Sequence, residues 1–340
     1  MINLDNELKT VKSVAIAGHV RPDGDCVGSC MGLYNYIINN YEGVKADVYL
    51  NPIPSALSIL KNTDKIINYI GHDVIESIDD FPKCIQGSYV NKNPYDLMFV
   101  LDCSDGKRLG PAYSLFKNAK RTICIDHHMN NGQFADEQYI IQDYSSTCEL
   151  IYNIADYDKI DKSVAECLYT GMVTDTGLFQ YDCTSADTMC AAGKLMDKGI
   201  DYSYLVEHTF FEKTYIQQKV LGKALLKSNT VYDGKIIYSY IDLDEMEELG
   251  ADPKDFEGIC ETLRETKGVS IAFFMYRQKD GYIKGSLRGS DDTDLSKVAS
   301  NMNGGGHKKA AGFHLDNIPM EEAKELVIKE IIKEYEIGNN

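Results

Sequence analysis

Four apolar segments of this chain end in side chains that can bind a metal ion. The first, residues 13–17, leads into the turn Gly18-His19-Val20-Arg21-Pro22-Asp23-Gly24-Asp25, and the others end at Asp102, Asp126-His127-His128 and Asp175. Short segments rich in β-branched residues are typical of strands buried on both faces of a parallel sheet. Such sheets collect ligands at the carboxyl ends of their strands. The pattern therefore predicts an α/β fold in which side chains far apart in the sequence converge.

The rest of the first half continues this alternation of strands and helices. Further strands are predicted at residues 46–50, 96–101, 122–125 and 139–142, and helices at 26–38, 148–155, 162–172 and 185–198. Such alternation indicates a mainly parallel sheet covered by helices. In the first helix, the small residues Gly28, Ser29 and Gly32 are expected to allow close approach to the sheet.

The chain has 340 residues, more than one hydrophobic core usually supports, so two domains are expected. We assign residues 1–200 to a catalytic domain, 201–230 to a helical linker and 231–340 to a smaller α/β domain, with a cleft between the two domains. The smaller domain begins with a strand at 235–242. Two later strands, at 269–277 and 282–288, flank Lys279-Asp280-Gly281, a hairpin signature.

Composition narrows the class of partner. The formal charge of −17 weighs against a long nucleic acid, whose binding needs an excess of lysine and arginine. Ten cysteines occur singly, without a Cys-x-x-Cys pair, which is typical of a reduced cytoplasmic protein. The N-terminus lacks the features of a secretion signal, and no apolar run is long enough for a membrane helix. We therefore expect a cytoplasmic protein with no membrane partner.

Each potential ligand group also has a purely structural interpretation. The turn from His19 to Asp25 could be a capped connection between a strand and a helix, and Asp102 could simply close a buried strand. Two adjacent histidines after a buried strand are more specific, although they could lie in a surface loop. Asp175 alone carries little weight. The four groups together make a shared site the better interpretation.

Two imidazoles and four carboxylates are more than one tetrahedral ion uses, but they suit two ions that share a carboxylate. The set contains no thiolate, which disfavours structural zinc and favours Mn²⁺, Mg²⁺ or Co²⁺. Paired ions can activate a water molecule and bind both oxygens of an in-line phosphoryl displacement. The pattern therefore predicts phosphoester hydrolysis at a site with two metal ions.

The four groups, in this order, resemble the motifs of the DHH phosphoesterases. The segment Gly304-Gly305-Gly306-His307-Lys308-Lys309-Ala310-Ala311-Gly312 resembles the glycine-rich signature of the DHHA1 domain that accompanies them. Both the motif order and the chain length fit the stand-alone members. Where the family often has Ala-Ile or Ala-Leu, this chain has Cys26-Val27, at positions outside the ligand set.

The resemblance implies a role for each motif residue. One metal would be held by His19, Asp23 and Asp102, and the second by Asp25, Asp102, His127 and Asp175, with Asp102 bridging. The resemblance also implies that Asp126 supports the site from behind and that His128 contacts the scissile phosphate. Two Mn²⁺ ions are the expected cofactors, with Mg²⁺ or Co²⁺ as alternatives.

Substrate recognition is expected in the DHHA1 domain. Backbone N–H groups at Gly304, Gly305 and Gly306 could approach a phosphate or base, and His307 could add a contact. Arg264 and Arg288 are the expected cations for the far end of the substrate. The glycines could instead form a flexible loop, and either arginine could be a solvated surface charge.

The resemblance implies an enzyme that hydrolyses short oligoribonucleotides, from dinucleotides to about pentanucleotides, or nucleoside 3′,5′-bisphosphate (pAp). Hydrolysis of cyclic or linear dinucleotides by the same metals is the main alternative. An inorganic pyrophosphatase would have a different second domain, and a non-catalytic nucleotide sensor would not need all six ligands. The expected partner is a short nucleotide substrate; the sequence leaves a homodimer open.

Overall fold

A computed structural model of the chain describes residues 2–85, 93–128, 132–290, 293–306 and 308–338, with side chains described as far as residue 334. The chain divides into two compact units, Met1–Glu212 and Lys213–Asn340. Each unit is built on one six-stranded sheet.

The sheet of the first unit is parallel throughout. Its strands are β1 (Ser13–Ala17), β2 (Lys45–Leu50), β3 (Ile67–Asn68), β4 (Leu97–Leu101), β5 (Thr122–Asp126) and β6 (Glu137–Ile140), in the order β3-β2-β1-β4-β5-β6. The central strand β4 is fully buried, as its continuous apolar sequence Leu-Met-Phe-Val-Leu requires. The predicted α/β class and mainly parallel sheet are confirmed. Strand β6 lies two residues earlier than predicted.

Helices cover this sheet. They are α1 (Leu4–Leu8), α2 (Gly24–Asn40), α3 (Tyr113–Asn118), α4 (Thr147–Ile154), α5 (Lys162–Asp175), α6 (Ala186–Met196) and α7 (Tyr202–Val206). Local side chains set several of their starts, because Asp23 caps α2, Ser146 caps α4 and Ser185 caps α6. These caps fix where α2 and α4 begin, at the carboxyl ends of β1 and β6.

The small residues of α2 have a different partner from the predicted one. A Cβ atom on Gly28 would collide with the backbone of Cys167 and Gly171, and one on Gly32 would collide with Leu168. These three partners belong to α5. The glycines therefore bring α2 close to α5, and not to the sheet.

The second unit has a mixed sheet. Its strands are β7 (Asn229–Val231), β8 (Ile236–Ile241), β9 (Ile271–Arg277), β10 (Ile283–Gly289), β11 (Gly305–Gly306) and β12 (Ala310–Leu315), in the order β11-β12-β10-β9-β8-β7. Only the pair β8–β9 is parallel among these strands. The helices are α8 (Tyr215–Lys227), α9 (Leu243–Leu249), α10 (Ile259–Arg264), α11 (Leu295–Ser300) and α12 (Met320–Gly338). The predicted hairpin is present as β9 and β10.

In the described parts of both units, no helix combines the length and the apolar character that crossing a membrane requires.

Candidate metal centre

Three neighbouring strands deliver the first residues of the site. His19 follows β1, Asp102 follows β4, and Asp126 ends β5, so all three lie at the carboxyl edge of the sheet. The side chains of His19, Asp102 and Asp126 are buried. Strand order alone thus brings together motifs that the sequence separates by about a hundred residues.

The orientation of His19 is fixed by its own turn. Its Nδ1 atom lies 2.9 Å from the carbonyl oxygen of Val20, so Nδ1 carries the proton and donates it there. The other nitrogen, Nε2, lies 3.4 Å from Asp102 Oδ2 and 3.6 Å from Asp23 Oδ2. An imidazole held in this way directs Nε2 towards two carboxylates, which is the usual orientation of a metal-binding histidine.

His127 repeats this arrangement on the other side. Its Nδ1 atom faces the carbonyl oxygen of Tyr144 at 3.3 Å. Its Nε2 atom lies 3.3 Å from Asp175 Oδ2, 3.8 Å from Asp102 Oδ1 and 3.9 Å from Asp25 Oδ2. The Nε2 atom of a second imidazole therefore faces a second group of carboxylates.

Asp102 lies between the two groups. Its Oδ2 atom faces His19, whereas its Oδ1 atom faces His127 and accepts a 3.3 Å hydrogen bond from the Thr147 hydroxyl. Its backbone has φ of 53°, a left-handed conformation that costs energy for any residue with a side chain. The two oxygens of this one carboxylate are oriented as a bridge between two cations would require.

Asp25 is bound by the start of α4. The backbone N–H of Thr147 donates to Asp25 Oδ2 at 2.7 Å, and that of Cys148 donates to Oδ1 at 2.9 Å. Helix N-termini favour a negative charge because their first N–H groups have no partner within the helix. This interaction fixes the carboxylate although its side chain is buried.

Asp126 supports His128. The Asp126 carboxylate accepts a hydrogen bond from His128 Nδ1 at 2.7 Å, which raises the pKa of the imidazole. His128 Nδ1 also lies 3.5 Å from Asp102 Oδ1. The pair leaves Nε2 of His128 as the ring atom available for another group.

The site concentrates negative charge. Burial, and then the charge of Asp102, raise the pKa of Asp25 to about 7. Burial, and then the charge of Asp25, raise the pKa of Asp175 to about 8. Burial would lower the pKa of His127, but Asp25 and Asp175 outweigh it and raise that pKa. In the described chain no lysine or arginine forms an ion pair with Asp25, Asp102 or Asp175.

This donor set fits divalent cations. Buried carboxylates are costly unless a positive charge compensates them, and only imidazoles do so here. Three overlapping groups have ligand atoms that all lie within 4.8 Å of one another: Asp25, His127 and Asp175; Asp102, His127 and His128; and His19, Cys26 and Asp102. The predicted ligands therefore converge, and together they offer candidate positions for metal ions.

Sequence reasoning missed three contributors. The hydroxyl and backbone N–H of Thr147 bind two of the carboxylates, although the sequence suggested only a helix start there. The carbonyl of Tyr144 orients His127, and no sequence signal identifies a backbone carbonyl. Cys26 belongs to one of the three groups, and its place directly after Asp25 in the turn was the available signal.

The predicted substrate-binding residues that the structure describes lie in the second unit. Arg288 forms an ion pair with Glu261, in which Arg288 Nε and Nη2 both lie 2.7 Å from Glu261 Oε1. Arg264 ends α10 and is half-buried. Gly304 to Gly306 run beside β12, where a Cβ on Gly304 or Gly306 would collide with the neighbouring backbone, while Gly305 faces open space. His307 lies outside the described residues.

Comparisons with known proteins agree with these motifs. Residues 13–172 match the model of the DHH family, N-terminal domain, and residues 233–336 match that of the DHHA1 domain. The bifunctional oligoribonuclease and PAP phosphatase NrnA of Thermus thermophilus is 25% identical over 96% of this chain and 92% of that protein. The protein of the same name in Bacillus subtilis is 24% identical over 95% of this chain and 96% of its own length.

A solved structure shares the fold. The crystal structure of an exopolyphosphatase-related protein from Bacteroides fragilis superposes with a TM-score of 0.87 at 24% identity, covering 99% of this chain and 96% of that one. The two family models together match more than half of the chain, one in each unit. The chain therefore belongs to the family of phosphoesterases that join a DHH domain to a DHHA1 domain.

Proposed function

We propose that this chain is a metal-dependent phosphoesterase that hydrolyses short oligoribonucleotides and nucleoside 3′,5′-bisphosphate. The observation that carries the proposal is the converging cluster around Asp102, in which buried carboxylates face two oriented imidazoles. The names of the Thermus and Bacillus relatives support the same reaction and the same substrates.

We assign two cation positions to the cluster. His19, Asp23 and Asp102 would hold one ion, while Asp25, Asp102, His127 and Asp175 would hold the other. The two oxygens of Asp102 face these two groups separately, which supports a bridging role. Mn²⁺ is the proposed metal, with Mg²⁺ and Co²⁺ as alternatives, because carboxylate and imidazole ligands suit all three.

Bound ions would supply Lewis-acid chemistry, lowering the pKa of water and compensating charge on phosphoryl oxygens. The chain's own residues prepare the site for this. The Val20 and Tyr144 carbonyls fix the tautomers of His19 and His127, so both Nε2 atoms remain free to bind. Asp126 holds His128 protonated at Nδ1, and its raised pKa favours a positive ring beside the developing phosphate charge.

We assign substrate recognition to the second unit. A Cβ atom at Gly305 would meet no atom other than those of its chain neighbours within 4 Å, so the Gly305 backbone is open enough to lie against a phosphate or base. Arg264, Arg288, Gly304, Gly306 and His307 are proposed as its neighbours in this role. Arg288 would have to leave Glu261 to bind a phosphate, because the same guanidinium nitrogens make that ion pair.

A short substrate fits the charge of the chain. With a formal charge of −17, the protein lacks the basic excess that holds long single strands, and local cations must bind each phosphate. Hydrolysis of cyclic dinucleotides would use the same cluster, so only a comparison of substrates separates the two activities.

A substrate panel tests the proposal. Metal-free protein is supplied with Mn²⁺ and offered linear pApA, a longer RNA, pAp, a cyclic dinucleotide and pyrophosphate, with product measured by chromatography. We expect the highest kcat/KM on pApA and pAp, and no hydrolysis after chelation. Preference for the cyclic dinucleotide would favour the alternative, whereas preference for pyrophosphate or a long RNA would contradict the proposal.

A further inference from the structure

Cys26 lies in the proposed metal centre although it was not expected there. Its sulfur and the ligand atoms of His19 and Asp102 all lie within 4.8 Å of one another. All three residues are buried. Of the three groups that the described residues form, only this one includes a thiol.

Two neighbours hold the thiol in this position. Cys26 lies in the first turn of α2, where its backbone N–H donates to Asp23 Oδ1 at 3.1 Å. Gly18 gives the sulfur its space, because a Cβ on Gly18 would collide with Cys26 Sγ. The turn that carries His19 and Asp23 therefore also positions the thiol.

The side chains of Cys26 and Asp23, the two candidate ligands beside His19 and Asp102, differ in how much of each is exposed to solvent. The Asp23 side chain is 62% exposed, whereas the His19 side chain is only 5% exposed and Cys26 is fully buried. A side chain in solvent can turn away from an ion, but a buried one is held by its packing. Cys26 is therefore the more deeply buried donor beside His19 and Asp102, whereas Asp23 is held at the surface by its cap hydrogen bond.

We propose that Cys26 is a ligand of the ion held by His19 and Asp102, and that it shifts the preference of this position from Mn²⁺ towards Zn²⁺ or Co²⁺. The inference rests on the proposed metal centre. Thiolate is a soft ligand that binds Zn²⁺ strongly, while Mn²⁺ prefers oxygen. On binding, the sulfur–metal bond replaces the S–H bond, and the proton passes to solvent.

A cobalt spectrum tests this directly. Metal-free full-length protein is titrated with up to two equivalents of Co²⁺ while the visible and near-ultraviolet absorption is recorded. Visible bands report cobalt in the centre, and a near-ultraviolet charge-transfer band reports a sulfur–cobalt bond. We expect both in the unmodified chain, and we expect Cys26→Ala to keep the visible bands and lose the charge-transfer band.

Cys167→Ala is the matched control. Cys167 lies on α5, is equally buried, accepts a hydrogen bond from Asn35, and belongs to none of the three groups. It should therefore keep both absorptions. Cys26→Ser retains a small polar side chain, so it reports on the sulfur itself should the alanine variant fail to fold.

Competition titrations give a second readout. Loss of the thiol should weaken Zn²⁺ binding at one of the two positions by about tenfold or more, and should leave Mn²⁺ binding nearly unchanged. A charge-transfer band that persists in both Cys26 variants, or equal Zn²⁺ affinity in all chains, would overturn the inference and leave the metal centre standing. Absence of any cobalt binding would overturn both.

Discussion

The two units of this chain treat charged side chains in opposite ways. In the first unit, Asp25, Asp102 and Asp126 are buried at the edge of a parallel sheet and face imidazoles. In the second unit, Arg288 lies half-buried on an antiparallel strand and is paired with Glu261. Asp25 and Asp102 have only imidazoles as ion-pair partners among the described residues, so their arrangement suits a cation. The Arg288–Glu261 pair is already neutral, so a ligand can bind Arg288 only by competing with Glu261.

Removal of the proposed bridging carboxylate, Asp102, should have the largest effect. Asp102→Ala removes both oxygens that face the two imidazoles, and loss of even an outer-shell partner of a metal costs about 10- to 100-fold. We expect kcat/KM with Mn²⁺ to fall more than about a hundredfold. Asp143→Asn, which changes an exposed carboxylate in the turn between β6 and α4, should leave activity unchanged. If the Asp102→Ala chain stays active, the buried carboxylates of the first unit are not the catalytic metal centre, and the contrast drawn between the two units fails.

A smaller loss should follow from Asp126→Asn. The amide can still accept a hydrogen bond from His128, but it no longer favours the protonated ring. We expect kcat to fall about 10- to 100-fold while the affinity for Mn²⁺, measured by calorimetry, is nearly unchanged. The pKa of His128 should also fall in this variant. Activity should then be lost at a lower pH on the basic side, so the pH–rate profile becomes narrower. Weaker metal binding with an unchanged kcat would instead make Asp126 part of the metal site.

Substitutions at the Arg288 pair test the other side of the comparison. Arg288→Ala should raise KM for pApA by about tenfold, since it removes one charge-assisted contact. Glu261→Gln should lower KM, because it frees the guanidinium. Lys279→Ala is the control. It also removes one positive charge, at the exposed hairpin, and should leave KM unchanged. If KM is the same in all three variants, Arg288 is only a partner of Glu261.

The smallest expected effect concerns Asp96, which directly precedes β4 at the amino ends of the strands of the first sheet. Lys120 and the backbone N–H of Lys12 bind Asp96 and lower its pKa to about 2, whereas burial raises that of Asp25. Because the folded-state pKa lies below the ordinary value of 3.8, Asp96 stabilises the fold above that pH, and the contribution is lost as the pH falls through about 2. Asp96→Asn should lower the free energy of unfolding by about 1 kcal/mol at neutral pH.

Urea unfolding of both chains between neutral pH and about pH 3 checks this sign. The difference between them should shrink as the solution becomes more acidic. A difference that stays constant or grows would show that Asp96 acts through its shape and not through its charge.

The sequence predicted the central strands of the first unit well, for a physical reason. Strand β1 matches its predicted range because an apolar run that is buried on both faces leaves little freedom. The convergence of His19 and Asp102 also followed, since parallel strands end at one edge. The fit of Gly28 against α5 did not, because it depends on residues about 140 positions away.

Pairing between side chains was the other blind spot. Arg288 and Glu261 are 27 residues apart on different elements, and neither periodicity nor composition connects them. Cys26 was set aside because a motif pattern records residue types and not the direction in which a side chain points. Very short strands such as β3 and β11 gave no signal of their own, because two residues cannot show an alternation.

The hydrogen bonds from α4 to Asp25 also couple local opening events along the chain. Asp25 accepts from the Thr147 amide 122 positions away, so the start of α4 is protected only while the first turn of α2 is in place. Amide hydrogen exchange at Thr147 and Cys148 should therefore follow the opening of α2 and not that of α4 alone. These two amides would therefore report on the candidate centre without any substrate.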